Sequence, residues 1–325
     1  MRKIVSLASG VAFAVAAMSA SAEDLVIYTS QPVEQMTAVI DLFNKTDPDV
    51  KVEMFRSGTT EVMNKLQAEI AAGDPKADIL LIADSIAMTG LKNDGLLMAY
   101  KEAPVKGLDP IQYDPDMTFF GTKMITTGII YNTASGKPRP SSWKDLLKPE
   151  AKDQVIMPSP LYSGAAVIHV GTVAAQPGFG WEYFEKLADN GALAGKGNGS
   201  VRDAVSRGEK AYGVIIEYMA YGQKEKGSPV DFVFPAEGVT AINQPVAIMK
   251  TARHVAAAKK FIDFQLSAPA QEQSVEQKYF PLLAGVTPPA GYPDPSTLKI
   301  MTADPGELLK GTEETKRKFA DLFGG

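Results

Sequence analysis

Cysteine is absent from the 325 residues, and histidine and tryptophan occur twice each. Without cysteine no disulfide can form, so stability must come from burial. No lipid-bearing N-terminal cysteine can tether the chain either. With only His169 and His254, a histidine-rich metal centre or a Ser–His–Asp triad has few candidates. G-x-S-x-G and H-E-x-x-H are missing. Carboxylates are scattered, and no two pair for glycoside chemistry. An excess of positive charge is lacking too: the formal net charge is −5, which argues against nucleic acid as a partner. No block of like charge, internal repeat or low-complexity tract is present, so a charged tail or membrane patch is unsupported.

The one marked apolar run lies at the start. Arg2 and Lys3 precede an apolar stretch from Ile4 to Ala17, followed by Ala20-Ser21-Ala22, an A-x-A cleavage pattern before Glu23. The stretch is shorter than the roughly 20 residues that span a bilayer. Residues 1–22 therefore read as a signal peptide cleaved after Ala22, and the mature protein as exported. Without an anchor, such a protein is retained only inside an outer membrane, so the expected compartment is the Gram-negative periplasm. Loss of Arg2 and Lys3 takes the formal charge from −5 to −7. At about 100–200 residues per domain, the rest of the chain is long enough for two domains.

Periodicity gives an alternating α/β order. Leu25–Thr29 reads as a buried strand, Val33–Lys45 as an amphipathic helix, and Val50–Phe55 as an alternating strand. A helix is expected from Thr59 to Gly73, a continuous apolar strand over Ala77–Ala83, and a short helix over Ser85–Lys92. Further strands are expected at Met124–Asn132, Val155–Pro158, Ala211–Glu217, Asp231–Pro235 and Val239–Met249. Helical segments are expected at Ser142–Leu147, Ser163–Ala175, Trp181–Asp189, Val201–Ser206, Val255–Leu266, Ala270–Gln277 and Pro305–Phe323. The glycine-rich stretch Gly191–Ser200 separates two of these helices. It has the wrong spacing for a phosphate loop and reads as a flexible turn. The order predicts two α/β lobes joined by the two long strands, since a chain that crosses over must also cross back.

Four polar clusters fall just after strands: Tyr28-Thr29-Ser30-Gln31, Ser57-Gly58-Thr59-Thr60, Ala83-Asp84-Ser85 and Tyr162-Ser163-Gly164-Ala165. In open α/β sheets the ligand crevice lies at the carboxyl ends of the strands. Helix starts there offer unpaired N–H groups and partial positive charge to an anion. The competing reading is that Ser57, Thr59 and Ser163 only cap their helices. Ser200, at the end of the glycine-rich stretch, joins the ligand-binding candidates. Glu217, Tyr218 and Tyr221 follow a strand and suit a ligand ammonium through charge pairing and cation–π attraction. Tyr218 and Tyr221, three residues apart, can equally pack on a helix face.

The segments LVIYTSQPVEQM (25–36), FRSGTTEVMNKLQAE (55–69), ADILLIAD (77–84), MPSPLYSGAA (157–166), VSRGEKAYGV (205–214) and AINQPVAIMK (241–250) resemble the extracellular solute-binding proteins of ABC importers. The resemblance covers the mature chain and points to the ferric-iron-binding-like branch with the type II periplasmic fold. It implies a two-lobed, Venus-flytrap architecture, with lobe 1 over 23–125 and 240–285 and lobe 2 over 126–239 and 286–325. It also implies a non-enzymatic, monomeric protein without cofactor or resident metal, whose partners are a small anionic or zwitterionic ligand and an ABC permease. Iron carriers of this branch use adjacent tyrosines with a histidine or carboxylate. Here Tyr218 and Tyr221 are separated, and Thr29-Ser30 stand where a histidine would be. The chain is most similar to 2-aminoethylphosphonate-binding members. The phosphonate is then expected on Ser57–Thr60 and Ser163–Ala165, and the ammonium against Glu217 or Asp84 with Tyr218 nearby. A phosphate ester or ferric ion is the alternative ligand, and a secreted hydrolase or transferase the alternative class.

Overall fold

The computed structural model describes residues 23–324; the signal-peptide reading falls on residues outside that range. In chain order the elements are β1 (Glu23–Thr29), α1 (Val33–Thr46), β2 (Val50–Arg56), α2 (Thr59–Ala71), β3 (Ile79–Leu81) and α3 (Ser85–Asn93). Then come β4 (Phe119–Asn132), β5 (Val155–Pro158), α4 (Gly164–Ala174), α5 (Gly180–Asp189), β6 (Leu193–Gly195), α6 (Asn198–Ser206), β7 (Tyr212–Ile216) and α7 (Glu217–Glu225). β8 (Val230–Val233), β9 (Thr240–Ile248), α8 (Val255–Gln265), α9 (Ala268–Glu276) and α10 (Pro305–Phe323) complete the chain.

The strands form one continuous sheet in the order β2-β1-β3-β9-β4-β7-β5-β6, with β8 also paired to β4. β1 pairs in parallel with β2 and β3, and β5 in parallel with β6 and β7. The centre is antiparallel. β9 pairs with β3 on one side and with β4 on the other, so the ladder passes from one half of the molecule to the other. β4 pairs with β9 from Phe119 to Thr127, then with β7 from Thr127 to Tyr131 and with β8 from Ile129 to Asn132. Among the described residues, these are the two strands that run through both halves.

The interior divides accordingly. One cluster joins Leu25, Phe43 and Phe120 to Val246, Phe261 and Ile262. On the opposite face of β1 and β3, Leu66, Leu80 and Met88 pack with Ala247 and Met249. In the other half Trp143, Phe184, Val214 and Phe319 are buried together, and Ile130, Val201 and Ile215 form a further cluster. α10 carries Phe319 into that half and also packs along α4 and α3.

Most expected elements occur within a few residues of their predicted ends. The strand expected over Ala77–Ala83 is ladder-paired only at Ile79–Leu81. Asp78 keeps backbone bonds to both flanking strands, its N–H to Val26 and its carbonyl from Met249, and its carboxylate also accepts from the N–H groups of Val26, Arg253 and His254. β4 starts at Phe119, five residues before the expected Met124, with an irregular register between Gly121 and Met124. The glycine-rich segment is not a plain turn: Leu193–Gly195 pairs with β5, and Asn198 opens α6 after the extended Gly197. The strand predicted to include Glu217 ends at Ile216, and Glu217 opens α7.

Candidate functional site

A cavity of about 310 Å³ lies between the two halves, where the C-terminal ends of β1 and β2 face the starts of α2, α4 and α6. The first half contributes Ser30, Gln31, Arg56, Gly58 and Thr59, and β9 contributes Gln244. Across from them stand Tyr162, Ser163, Ala165, Lys196, Asn198, Ser200, Arg202 and Tyr218, with Tyr279 at the back. Three helix N-termini therefore meet one space, each bringing amides without intrahelical partners.

Close approach of these helix starts depends on small residues. A methyl group on Gly164 would strike Asp84, Ala83 and Thr59, so glycine lets α4 abut the other half. Gly58 lies flat against the Tyr162 ring, which also covers Gly197. Two bonds cross between the halves here: the Thr60 N–H donates to the Tyr162 carbonyl at 3.3 Å, and Lys196 pairs with Glu61 at 3.3 Å. Lys196 Nζ also lies 4.6 Å from the Tyr162 ring centre. Farther out, Lys278 and Glu225 pair at 2.8 Å.

The charge of the lining is one-sided. Arg56, Lys196 and Arg202 carry positive charge, and among the described residues no aspartate or glutamate lines the cavity. Arg56 is held by the carbonyls of Gln31 and Ser30, at 3.1 and 3.3 Å. Ser163 accepts from the Ala166 N–H and from Asn198 Nδ2, each at 3.3 Å, and Asn198 Oδ1 accepts from the Ile216 N–H at 3.1 Å. The polar wall is thus braced from behind.

Of the residues singled out from the sequence, Ser30, Gln31, Gly58, Thr59, Ala83, Tyr162, Ser163, Ala165, Ser200 and Tyr218 line the cavity. The others do not, each for a local reason. Thr29 Oγ1 accepts from the Gln31 N–H at 3.1 Å, Ser57 donates to Glu61, and Thr60 joins Tyr162. Asp84 caps α3 through the Ala87 N–H at 2.8 Å, and the Ser85 carbonyl accepts from Thr89. Burial raises the Asp84 carboxyl to about 6. Tyr221 stacks on Tyr292 with ring centres 4.2 Å apart, and Gly164 is covered by the facing helix starts.

Glu217 requires the largest correction. It is wholly buried, and its Oε2 accepts from the Thr126 N–H at 2.5 Å and from the Thr126 hydroxyl at 3.0 Å. Its carboxyl is turned onto β4, not into the cavity, and burial pushes it up to about 8. Neither Glu217 nor Asp84 is placed to meet a ligand ammonium.

Arg56, Lys196, Asn198, Arg202, Gln244 and Tyr279 were missed. Arg56 directly precedes the polar cluster at Ser57, and Gly197-Asn198-Gly199-Ser200 repeats the polar-and-glycine helix start seen at the other clusters. Gln244 and Tyr279 carry no local signal and reach the site only through tertiary folding. His169 is buried, bonded to Thr240 at 3.1 Å and set against Trp143, and burial lowers it to about 3. Among the described residues no group of three histidine, cysteine, aspartate or glutamate side chains could hold a metal.

Two halves on one sheet, two shared strands and a polar cleft between them define a two-lobed binding protein of the type II periplasmic class. Residues 29–272 match the family described as bacterial extracellular solute-binding protein, and the chain belongs to it. It is 31% identical to an Fe(3+)-binding periplasmic protein of Serratia marcescens, over 67% of this chain and 64% of that one. The fold is similar to the periplasmic binding protein AfuA from Actinobacillus pleuropneumoniae with fructose-6-phosphate bound. There the TM-score is 0.84 at 25% identity, covering 93% of this chain and 98% of AfuA. Iron-bound HitA from Pseudomonas aeruginosa superposes with a TM-score of 0.78 at 22% identity, covering 91% and 99%.

Proposed function

We propose that this chain is the periplasmic substrate-binding component of an ABC importer and captures a small phosphonate, with 2-aminoethylphosphonate as the favoured ligand. The observation that carries this reading is the convergence of Arg56, Lys196, Arg202 and three helix starts on one cavity without a lining carboxylate. Such a site favours a compact anion through charge-assisted hydrogen bonds and N-terminal amides. With Glu217 and Asp84 turned away, the ligand ammonium is assigned to Tyr218, which lines the cavity and is backed by Tyr279 with ring centres 4.2 Å apart.

Capture proceeds by closure. Ligand meets one lobe, β4 and β9 bend, and the second wall completes the contacts. The closed state gains only the difference in affinity between the two states. Shifting the population from 1:99 to 99:1 takes about 5.5 kcal/mol, within the roughly 8 kcal/mol of a micromolar ligand. The closed form then docks on the permease and releases its cargo chemically unchanged.

Titration calorimetry with 2-aminoethylphosphonate at neutral pH tests the ligand: no heat and no thermal shift exclude it. A second reading, a phosphate ester, is favoured by the all-cationic lining and by the sugar phosphate in the similar AfuA structure. Fructose-6-phosphate in the same titration separates the two. Iron(III) with a synergistic anion, read by tyrosinate colour, completes the comparison.

A further inference from the structure

Lys123 lies on β4 at the register irregularity between Gly121 and Met124, and it is 1% exposed. Its ammonium donates to Gln31 Oε1 at 2.9 Å and lies 4.9 Å from the centre of the Tyr279 ring. Gln31 and Tyr279 both line the cavity, so Lys123 is one side chain behind its wall. No carboxylate forms an ion pair with it among the described residues.

The groups around it offer no negative charge at neutral pH. Tyr279 and the stacked Tyr218 are phenols that burial keeps protonated. Arg56, which donates to the Gln31 carbonyl, is a cation, and Glu217, beyond the phenols, is held neutral by burial. A buried ammonium without a counterion is costly and tends to lose its proton. A Met or Leu would suit the apolar surroundings but strand the buried Gln31 Oε1; a neutral donor would satisfy that oxygen as well, so the packing does not account for a charge.

We infer that Lys123 is a specificity-determining positioning residue, a concealed cation whose missing counterion is the ligand and which takes up a proton when an anion enters the cavity. Resting on the anionic-ligand reading above, this adds a linkage that the visible lining does not supply. Burial lowers the free amine to about 7, so in the ligand-free protein it is substantially neutral above that pH. An anion beyond Gln31 favours the ammonium form, so affinity falls as the solution becomes more alkaline.

The test has two arms. In ligand-free protein, the Lys123 side-chain resonance, assigned by its loss in Lys123→Arg, is followed against pH. A midpoint near 7 is expected, and the ordinary lysine value of 10.5 overturns the inference. In the second arm, 2-aminoethylphosphonate and inorganic phosphate are titrated by calorimetry in buffers of different ionisation enthalpy. Wild type is expected to take up more protons than Lys123→Met and to lose about tenfold in affinity between pH 6.5 and 8.5 beyond the change seen in that variant. Lys123→Arg keeps the affinity without the extra uptake. The probes' own ionisation is common to all three proteins, so equal uptake in wild type and Lys123→Met overturns the linkage. Failure of both anions to bind refutes the anionic-ligand reading and the linkage together. A resonance midpoint near 7 in that case places the fault in the ligand class and not in the buried amine.

Discussion

Glu217 sits where ionisation is expensive. Its folded-state value near 8 lies above the ordinary 4.5, so the protonated form is the one the fold prefers. Its contribution to stability is complete below pH 4.5 and is lost as pH rises through 8. At 1.36 kcal/mol per unit, about 3 kcal/mol disappears between pH 5 and pH 7. Glu217→Gln keeps an oxygen for the Thr126 N–H and cannot ionise. Its melting temperature is expected to stay level over that range while that of wild type declines, as calorimetric melts at several pH values would show. Sequence pattern put Glu217 at the end of a strand, one residue too far along it, and could not tell which way its side chain turns. Direction depends on the unpaired Thr126 N–H, which exists only once β4 is in the sheet. Lys123 is the converse: its charge interrupts the apolar pattern, and so the expected strand began too late, at Met124.

The secondary-structure elements themselves were largely readable, because apolar spacing, glycines and prolines act locally. Val155–Pro158 and Pro305–Phe323 were predicted with their observed ends. The segment after Gly191 was misread because three-residue β6 is too short to show alternation and its pairing with β5 is remote in sequence. Polar residues at helix starts proved to have both competing roles. Ser163 caps α4 and also lines the cavity. Ser163→Ala is expected to cost about 1 kcal/mol of stability, roughly a 2–3 °C drop in melting temperature. It should also weaken the ligand by about tenfold, since a charge-assisted hydrogen bond contributes 1.5–3 kcal/mol and water replaces part of it. A loss in stability alone, with affinity unchanged, would leave the hydroxyl a cap and nothing more.

At the level of the whole molecule, the Tyr162 ring on Gly58, the Thr60–Tyr162 bond and the Lys196–Glu61 pair tie one half to the other. The ion pairs are exposed and contribute little individually. The ring contact is the sterically specific one. Gly58 has φ −62°, which alanine adopts freely, so Gly58→Ala should fold normally yet push the Tyr162 ring away. Affinity is expected to fall by about 10- to 100-fold with the melting temperature of the free protein unchanged, and small-angle scattering with ligand should show a more open particle. Unchanged affinity would mean that Tyr162 yields without cost. Two halves and a cleft were foreseeable from the two long strands. The cationic lining was not, since Arg56, Lys196 and Arg202 come together only when the halves meet.

The route of the chain through the sheet bears on how the polypeptide acquires its shape. β3 obtains its outer neighbour only from β9, and the core beneath β1 is sealed by Phe261 and Ile262 from α8. The N-terminal segment therefore cannot become a finished unit as it leaves the ribosome; it must wait for the distant end of its own polypeptide. A chain whose first strands wait for its last helices stays loose until synthesis is nearly complete, and its assembly begins late.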